Sequence, residues 1–367
     1  MSLTLFRYLT ERMVVATGIL FLALSTLVAL VDLIENLRFA SKFEGAGFAF
    51  ALQITGLRAL SLSQAMAPFV FLFGALWMFA QLNRRSEIAV MRSAGLSIWR
   101  VIGPASLVAV IMGVIIIGLV DPISSRMMSF SENLKNDVRG KRSSLVRVFG
   151  DGIWLRQPDG NETLLVNAAG LDESTSTLQK VTVWRLSNEP GTEGAFIERV
   201  DAPRAILLGR SIELREAVMT ASNGTLPRKT PSYIIPTKLT IADLREGAPP
   251  PETISMWDLP RFVELAEAAG LPTLRYNMRY HDLWSTPVKL FAMVLIAAVF
   301  TMRPARSGGT LQLVLLAVVT GFALYFLAEV TAAIGESGAA PLSLAAWTPT
   351  LVAATFAVTG LLHLEDG

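Results

Sequence analysis

Met13 to Val31 and Val101 to Val120 pass without one charged residue, and of four further stretches three are equally free of charge and one carries a single lysine. A hydrocarbon layer of about 30 Å is crossed by about 20 helical residues at about 1.5 Å each. Runs of this length confine the chain to a membrane-spanning helical fold. The others are Ala59 to Asn83, with Pro68 as a tolerated kink, Leu283 to Met302, interrupted by Pro287 and Lys289, Ser307 to Ala328, and Ser337 to Leu362. Six spans result, three on each side of a long gap. Composition agrees: 17% of the residues are charged and 52% apolar, where a soluble domain carries about a quarter charged residues.

The first run reads as a retained anchor, because no small-residue cleavage site follows it and the chain continues into Asp32, Glu35 and Asn36. Basic residues set the orientation. Arg7 and Arg12 precede span one, Arg84, Arg85, Arg92 and Arg100 fill the loop between spans two and three, and Arg303 and Arg306 lie between spans four and five. By the positive-inside rule these segments are cytoplasmic, and so are both termini.

The gap between the two sets of spans is therefore outside, and it is a different kind of polypeptide. Ile153 to Gln157, Thr163 to Asn167, Leu178 to Leu186, Phe196 to Val200, Ala205 to Leu208, Ser211 to Val218 and Tyr233 to Thr240 are short and rich in Val, Ile, Leu, Thr and Trp. Turn signals such as Pro158-Asp159-Gly160-Asn161, Asn188-Glu189-Pro190-Gly191 and Asn223-Gly224 separate them. This spacing predicts a small sandwich or barrel. A helix is expected over Ser255 to Ala269, with Ser255 or Asp258 as N-cap, Gly270 as stop and Pro272 beyond it. The expected organisation is residues 1–121 for spans one to three, 122–280 for the outer all-β domain, and 281–367 for spans four to six.

Several chemistries are excluded. The chain has no cysteine and only His281 and His363, so thiol catalysis, disulfides and a histidine-rich metal site are out. A net charge of +2 without a basic stripe interleaved with aromatics argues against nucleic acid. There is no GxxxxGK[ST] loop, no GxSxG elbow and no HExxH. A chain of this kind that moves a solute uphill takes its energy from a partner.

The loop Gln81 to Arg100 is the most informative stretch. Asn83 can cap a short helix over about 83–95, with Glu87 in its first turn and Ile88, Met91 and Gly95 on one face. Such a helix either docks in the groove of a cytoplasmic subunit or lies on lipid headgroups with Glu87 paired to Arg84. At the other end of span one, Asp32, Glu35, Arg38 and Lys42 fall at or just past the outer membrane surface, with Arg38 and Lys42 spaced i, i+4. Those two cations can hold an anionic lipid headgroup, or snorkel and pair with Glu35. Lys289 and Glu329 are ionisable groups inside spans, open to a functional or a snorkelling reading. The sequons at Asn161 and Asn223 carry no weight in a bacterial inner membrane.

The layout of spans and outer domain, with the basic segment Arg84 to Gly95, resembles the LptF/LptG family of lipopolysaccharide export permeases. The residues that carry the resemblance are Arg85-Ser86-Glu87 with Met91 and Gly95, then Arg279 and Pro287 at the start of span four, and Arg303-Pro304-Ala305-Arg306-Ser307. Gly152-Ile153-Trp154-Leu155 followed by Asp159-Gly160 looks more like the LptG branch. The resemblance implies a bacterial inner-membrane protein with a jellyroll-like outer domain in the periplasm. It also implies a heterodimer with an LptF-like permease, and an LptB ATPase dimer that carries ATP and Mg, this chain binding no cofactor itself. LptC and LptA continue the jellyroll bridge, and lipopolysaccharide is the cargo. Under it, Arg84, Arg85, Glu87, Ile88, Met91 and Gly95 couple to the ATPase, and Arg38, Lys42 and Lys289 contact lipopolysaccharide. One departure is Asp32, which stands about where members of the family often have a basic residue.

Overall fold

The computed structural model describes residues 2–43, 46–138, 147–149, 152–159, 162–172, 177–187, 195–208, 211–221, 226–237, 249–268, 272–302 and 310–366. The chain forms two compact units. One holds Met1–Ser131, Ser255–Trp257 and Leu274–Gly367, and the other holds Glu132–Ile254 and Asp258–Thr273. The outermost changeovers lie between Ser131 and Glu132 and between Thr273 and Leu274.

The first unit is helical: α1 (Leu3–Ala40), α2 (Phe48–Ala65), α3 (Ala67–Arg84), α4 (Glu87–Ser93), α5 (Ile98–Ile115), a π-helical turn (Ile116–Val120), α6 (Asp121–Val138), and, beyond the β unit and its short helix α7 (Leu259–Ala268), α8 (Leu274–Thr301), α9 (Thr310–Glu336) and α10 (Leu342–Asp366). Among the described residues, five helices are long and apolar enough to cross a membrane, and the pair α2 and α3, bent by 60°, adds a sixth where it is counted as one span. The expected bend at Pro68 falls two residues earlier, at Met66. Proline lacks an N–H and is best placed in the first turn of a new helix, and Pro68 takes that place in α3.

The third span does not stop at Val120. It runs on through the π turn into α6 and ends at Val138. Pro122, which cannot donate and whose ring presses on the preceding turn, lies just past that π turn, where the backbone takes up the misfit. Around α8 the other helices pack. Every residue from Leu290 to Phe300 except Phe291 is buried, while α1 and α9 leave large apolar side chains such as Leu22 and Phe326 open.

The second unit is built on seven antiparallel strands: β1 (Arg147–Phe149), β2 (Gly152–Asp159), β3 (Glu162–Asp172), β4 (Thr177–Ser187), β5 (Phe196–Leu208), β6 (Ser211–Ala221) and β7 (Arg228–Pro236), hydrogen-bonded in chain order. The inserted all-β domain is as expected, and its strand order is a meander. Two expected strands, Phe196 to Val200 and Ala205 to Leu208, are one strand of 13 residues that passes straight through Pro203. Pro203 has no N–H for the ladder, and the residues opposite it on both neighbours, Lys180 (φ 48°) and Glu216 (φ 56°), turn left-handed. The ladder opens at one rung, and the strand survives.

Alternate residues of β3 to β6, among them Leu164, Val166, Val181, Val183, Val200 and Leu214, form the apolar core of this unit. The twisted sheet curls toward itself, because the Tyr233 hydroxyl of β7 donates to Glu198 of β5 at 3.1 Å. On the apolar face α7 contributes Ala266 and Phe262. It starts at Leu259 rather than Ser255: the Asp258 carbonyl accepts from the Phe262 N–H at 2.9 Å, and Ser255–Trp257 belongs to the membrane unit. The turn signals at 160–161, 188–191 and 223–224, both sequon asparagines, and Gly270 lie outside the described residues, as does the Arg303 to Ser307 loop.

Candidate functional site

The loop between α3 and α5 folds as a seven-residue helix, shorter than the helix over 83–95 that the spacing predicts. Asn83 is not its cap. It lies within α3, and its amide donates to the carbonyl of Thr301 at 2.8 Å, satisfying a carbonyl left open at the end of α8. Ser86 makes the corner in the left-handed region at φ 58°. At the far end Gly95 takes φ +84°, its N–H reaching the Arg92 carbonyl at 2.9 Å while the Leu96 N–H reaches Met91 at 3.2 Å. That Schellman closure needs a residue without a Cβ.

Glu87 sits in the first turn, but its partner is not Arg84. Its Oε2 accepts from the Tyr8 hydroxyl of α1 at 2.9 Å, and Arg12, which lies over the Tyr8 ring at 5.2 Å, donates to Gln81 at 3.2 Å. Ile88 and Met91, 4% and 8% exposed, pack into the core of the membrane unit. The apolar stripe expected to meet a partner is thus turned inward, because it is the only apolar face the helix has for holding itself to the other helices. The face left open carries Val90, 66% exposed, and Arg92. Arg84, Arg85 and Gly95 are exposed beside it.

Twenty-four residues along α1 from Tyr8, about 36 Å at the helical rise, the second cluster begins at Asp32. Asp32 is buried among the helices of this unit. Its carboxylate faces Arg58 of α2 at 3.3 Å and accepts from Asn36 at 2.7 Å, and the same amide reaches Thr55 at 3.0 Å. Burying a carboxylate requires such partners, and an aspartate in this place pins α1 to α2. Arg38 and Lys42 are exposed, but they do not share a helix face: α1 ends at Ala40, and Lys42 follows in a turn. Arg38 stays in the last turn, where a cation complements the helix dipole. Lys289 is not brought to them. Its ammonium donates to Asp282, two turns earlier on α8, at 2.6 Å. Glu329 stands one turn beyond Tyr325 on α9.

At the start of α6, Asp121 is fully buried and accepts from Arg279 Nη2 at 2.7 Å, from the Met256 N–H at 2.7 Å and from Gln64 Nε2 at 3.4 Å. Sequence reading missed this carboxylate, as it missed Tyr8, Gln64 and Arg58. Their partners are distant in the chain, and no local pattern points to them.

In the β unit, Arg185 donates to Glu162 through Nε and Nη2 at 2.9 and 2.7 Å, and to Glu198 through Nη1 at 2.7 Å. Burial works against the Arg185 charge, but the hydrogen bonds and charges of Glu198 and Glu162 outweigh it and hold the guanidinium protonated beyond its usual range. Burial, then the Glu198 charge, pushes the Tyr233 phenol up from its ordinary value. Trp154, within the segment that looks most like the LptG branch, stacks on Trp184 at 5.3 Å, with Arg199 over the Trp184 ring at 5.7 Å.

Set beside known proteins, residues 7–363 match the family model of the lipopolysaccharide export system permease LptF/LptG. The lipopolysaccharide export system permease protein LptG of Haemophilus influenzae is 22% identical over 338 residues, which are 89% of this chain and 89% of that protein.

Proposed function

The chain belongs to the LptF/LptG family of lipopolysaccharide export system permeases, and we propose that it works as the LptG-like half of an ATP-driven exporter. It is a multi-pass inner-membrane transport subunit, with energy from ATP and Mg held by an LptB-type ATPase dimer and an LptF-like chain as second half. Its cargo passes to an LptC and LptA bridge continuing from the β unit. The arginines flanking spans one, two and three support cytoplasmic termini and a periplasmic β unit.

The α4 turn carries this reading. It is short, closed at its C-terminal corner, packed through Ile88 and Met91 and tied to α1 through Glu87 and Tyr8. A push on its open face passes into the helix core without being lost in a flexible loop. Coupling is thereby divided: Arg84, Arg85, Val90 and Arg92 meet the ATPase, while Glu87, Ile88, Met91 and Gly95 hold the lever in shape. On the lipid side, extracting acyl chains exposes apolar area at about 25 cal/mol per Å², and the uncovered faces of α1 and α9 supply apolar wall for that passage. Arg38 and Lys42 are the cations free to meet phosphate groups, Lys289 being committed to Asp282.

Val90→Glu tests the reading. Its side chain is exposed, so the chain is expected to reach the membrane at normal level, while the ATPase no longer co-purifies and lipopolysaccharide release from membranes falls to background. Normal co-purification and release in that variant would remove α4 as the coupling element.

A further inference from the structure

Arg279 and Pro287 belong to the family resemblance, yet neither the lipid wall nor the coupling turn uses them. Both close on the third span. Pro287 packs so near Gly113 that a Cβ built there would lie 2.5 Å from the proline Cα. Arg279 reaches Asp121 at 2.7 Å. Gly113 and Asp121 are eight residues apart, as are Arg279 and Pro287. In a regular α-helix, eight residues overshoot two full turns by about 80°. The π turn at Ile116–Val120 takes up one residue, which brings Gly113 and Asp121 to within about 20° of one face. The irregular turn is what lets the third span meet α8 at both points.

Three departures from regular backbone converge on the Asp121 carboxylate. One is the π turn that immediately precedes it. The second is the 60° bend at Met66, two residues after its ligand Gln64. The third is the non-helical segment Ser255–Trp257, whose Met256 N–H it accepts. The pair is also imperfect as a source of stability, since Arg279 Nε is buried and meets no hydrogen-bond acceptor among the described residues. Apolar side chains of similar volume hold such a place as well or better. An ion pair whose carboxylate is fully buried, seated where three irregular backbone geometries meet, has the properties of a contact made to be broken and remade.

We infer that Asp121 and Arg279 form a latch, a positioning pair that closes Ser255–Trp257 and the bend of the second span onto α8 and opens once in each transport cycle. The latch rests on the permease reading above. When it is closed, Met256 is 1% exposed; when it is open, Met256 loses its main-chain acceptor and meets water.

The chain has no cysteine, so Met256→Cys gives it a single thiol, and the latch contact survives because it uses the main-chain N–H. The variant is purified with its native partners, reconstituted in vesicles containing lipopolysaccharide, and treated with a maleimide; labelling is read on this chain by intact mass. Labelling of residue 256 is expected to be slow without ATP and about tenfold faster during turnover. With Asp121→Asn added, it is expected to be fast in both conditions. Slow labelling during turnover, with lipopolysaccharide still released, overturns the latch and leaves the permease reading intact. No ATP-dependent release from the unmutated complex overturns both. A second variant, Asp121→Leu with Arg279→Met, keeps the packing and removes both charges; it is expected to unfold at a somewhat lower temperature than the parent, because the Met256 N–H loses its acceptor, and to release lipopolysaccharide about tenfold more slowly at a temperature where it is fully folded. Parental release rates in that variant would make the pair structural only and would also overturn the latch.

Discussion

Arg185 in the β unit and Arg279 in the membrane unit each close on carboxylates, but in opposite circumstances. Arg185 has two carboxylates and a phenol around it, and its partner Glu162 is about a third exposed. Arg279 has one carboxylate, fully buried and shared with a main-chain N–H and an amide. Where water is close, a lost partner is replaced and no single bond decides much. Where the site is dry, each group removed strands another. The same pair of residue types therefore serves as surplus fastening in one unit and as a point of control in the other.

Removing the dry carboxylate is expected to cost most. Asp121→Ala leaves the Arg279 charge and the Met256 N–H buried without their acceptor, a loss of about 3–5 kcal/mol, seen as a lower unfolding temperature and less folded chain in the membrane. If it costs less than Arg185→Met, the contrast between the units is wrong. Next is Gly113→Ala, which drives a methyl group against the Pro287 backbone and is expected to cost about 1–3 kcal/mol; a neutral result would show that the π turn can shift to make room. Arg185→Met comes third, at about 1 kcal/mol, read as faster amide exchange in β4 and β5 with α8 unchanged.

The smallest effect is one of pH. The Tyr233 phenol titrates above its ordinary pKa of 10.0 in the folded chain, so folding favours the neutral form. That contribution is fully present below pH 10 and is lost as pH rises through the raised value. Amide exchange in β7 should quicken above that point, and Tyr233→Phe should remove the step. An unchanged step in the phenylalanine variant would assign the alkaline loosening to another group.

Much of the architecture was legible because it rests on sums over local sequence. Six apolar runs gave six spans, and alternating β-rich segments between turn signals gave the inserted sheet. Errors cluster at prolines. Pro203 made one strand read as two, since nothing local tells that both neighbours bend to receive it, and Pro68 and Pro122 start helical segments where the hydropathy shows only continuity or an end. Of the site, the position of Glu87 and the exposure of Arg84, Arg85, Arg38 and Lys42 could be read from charge and spacing. The commitment of Lys289 to Asp282 could have been found at i−7 on the same helix. The inward turn of Ile88 and Met91 could not, because an amphipathic stripe says that a face will be covered and not by whom.

By itself, then, the sequence determined which segments are apolar enough to enter lipid and the class of the inserted unit, because transfer of a segment from water depends on that segment's own side chains. Only the tertiary structure decided where each charge is spent. Tyr8 reaches Glu87 across 79 residues and Arg279 reaches Asp121 across 158, and a hydrogen bond of about 3 Å exists only once two distant helices have been packed in one particular rotation. The π turn relieves the misfit of Pro122 from within the sequence, but the rotation it gives the third span is fixed only once α8 is there to be met.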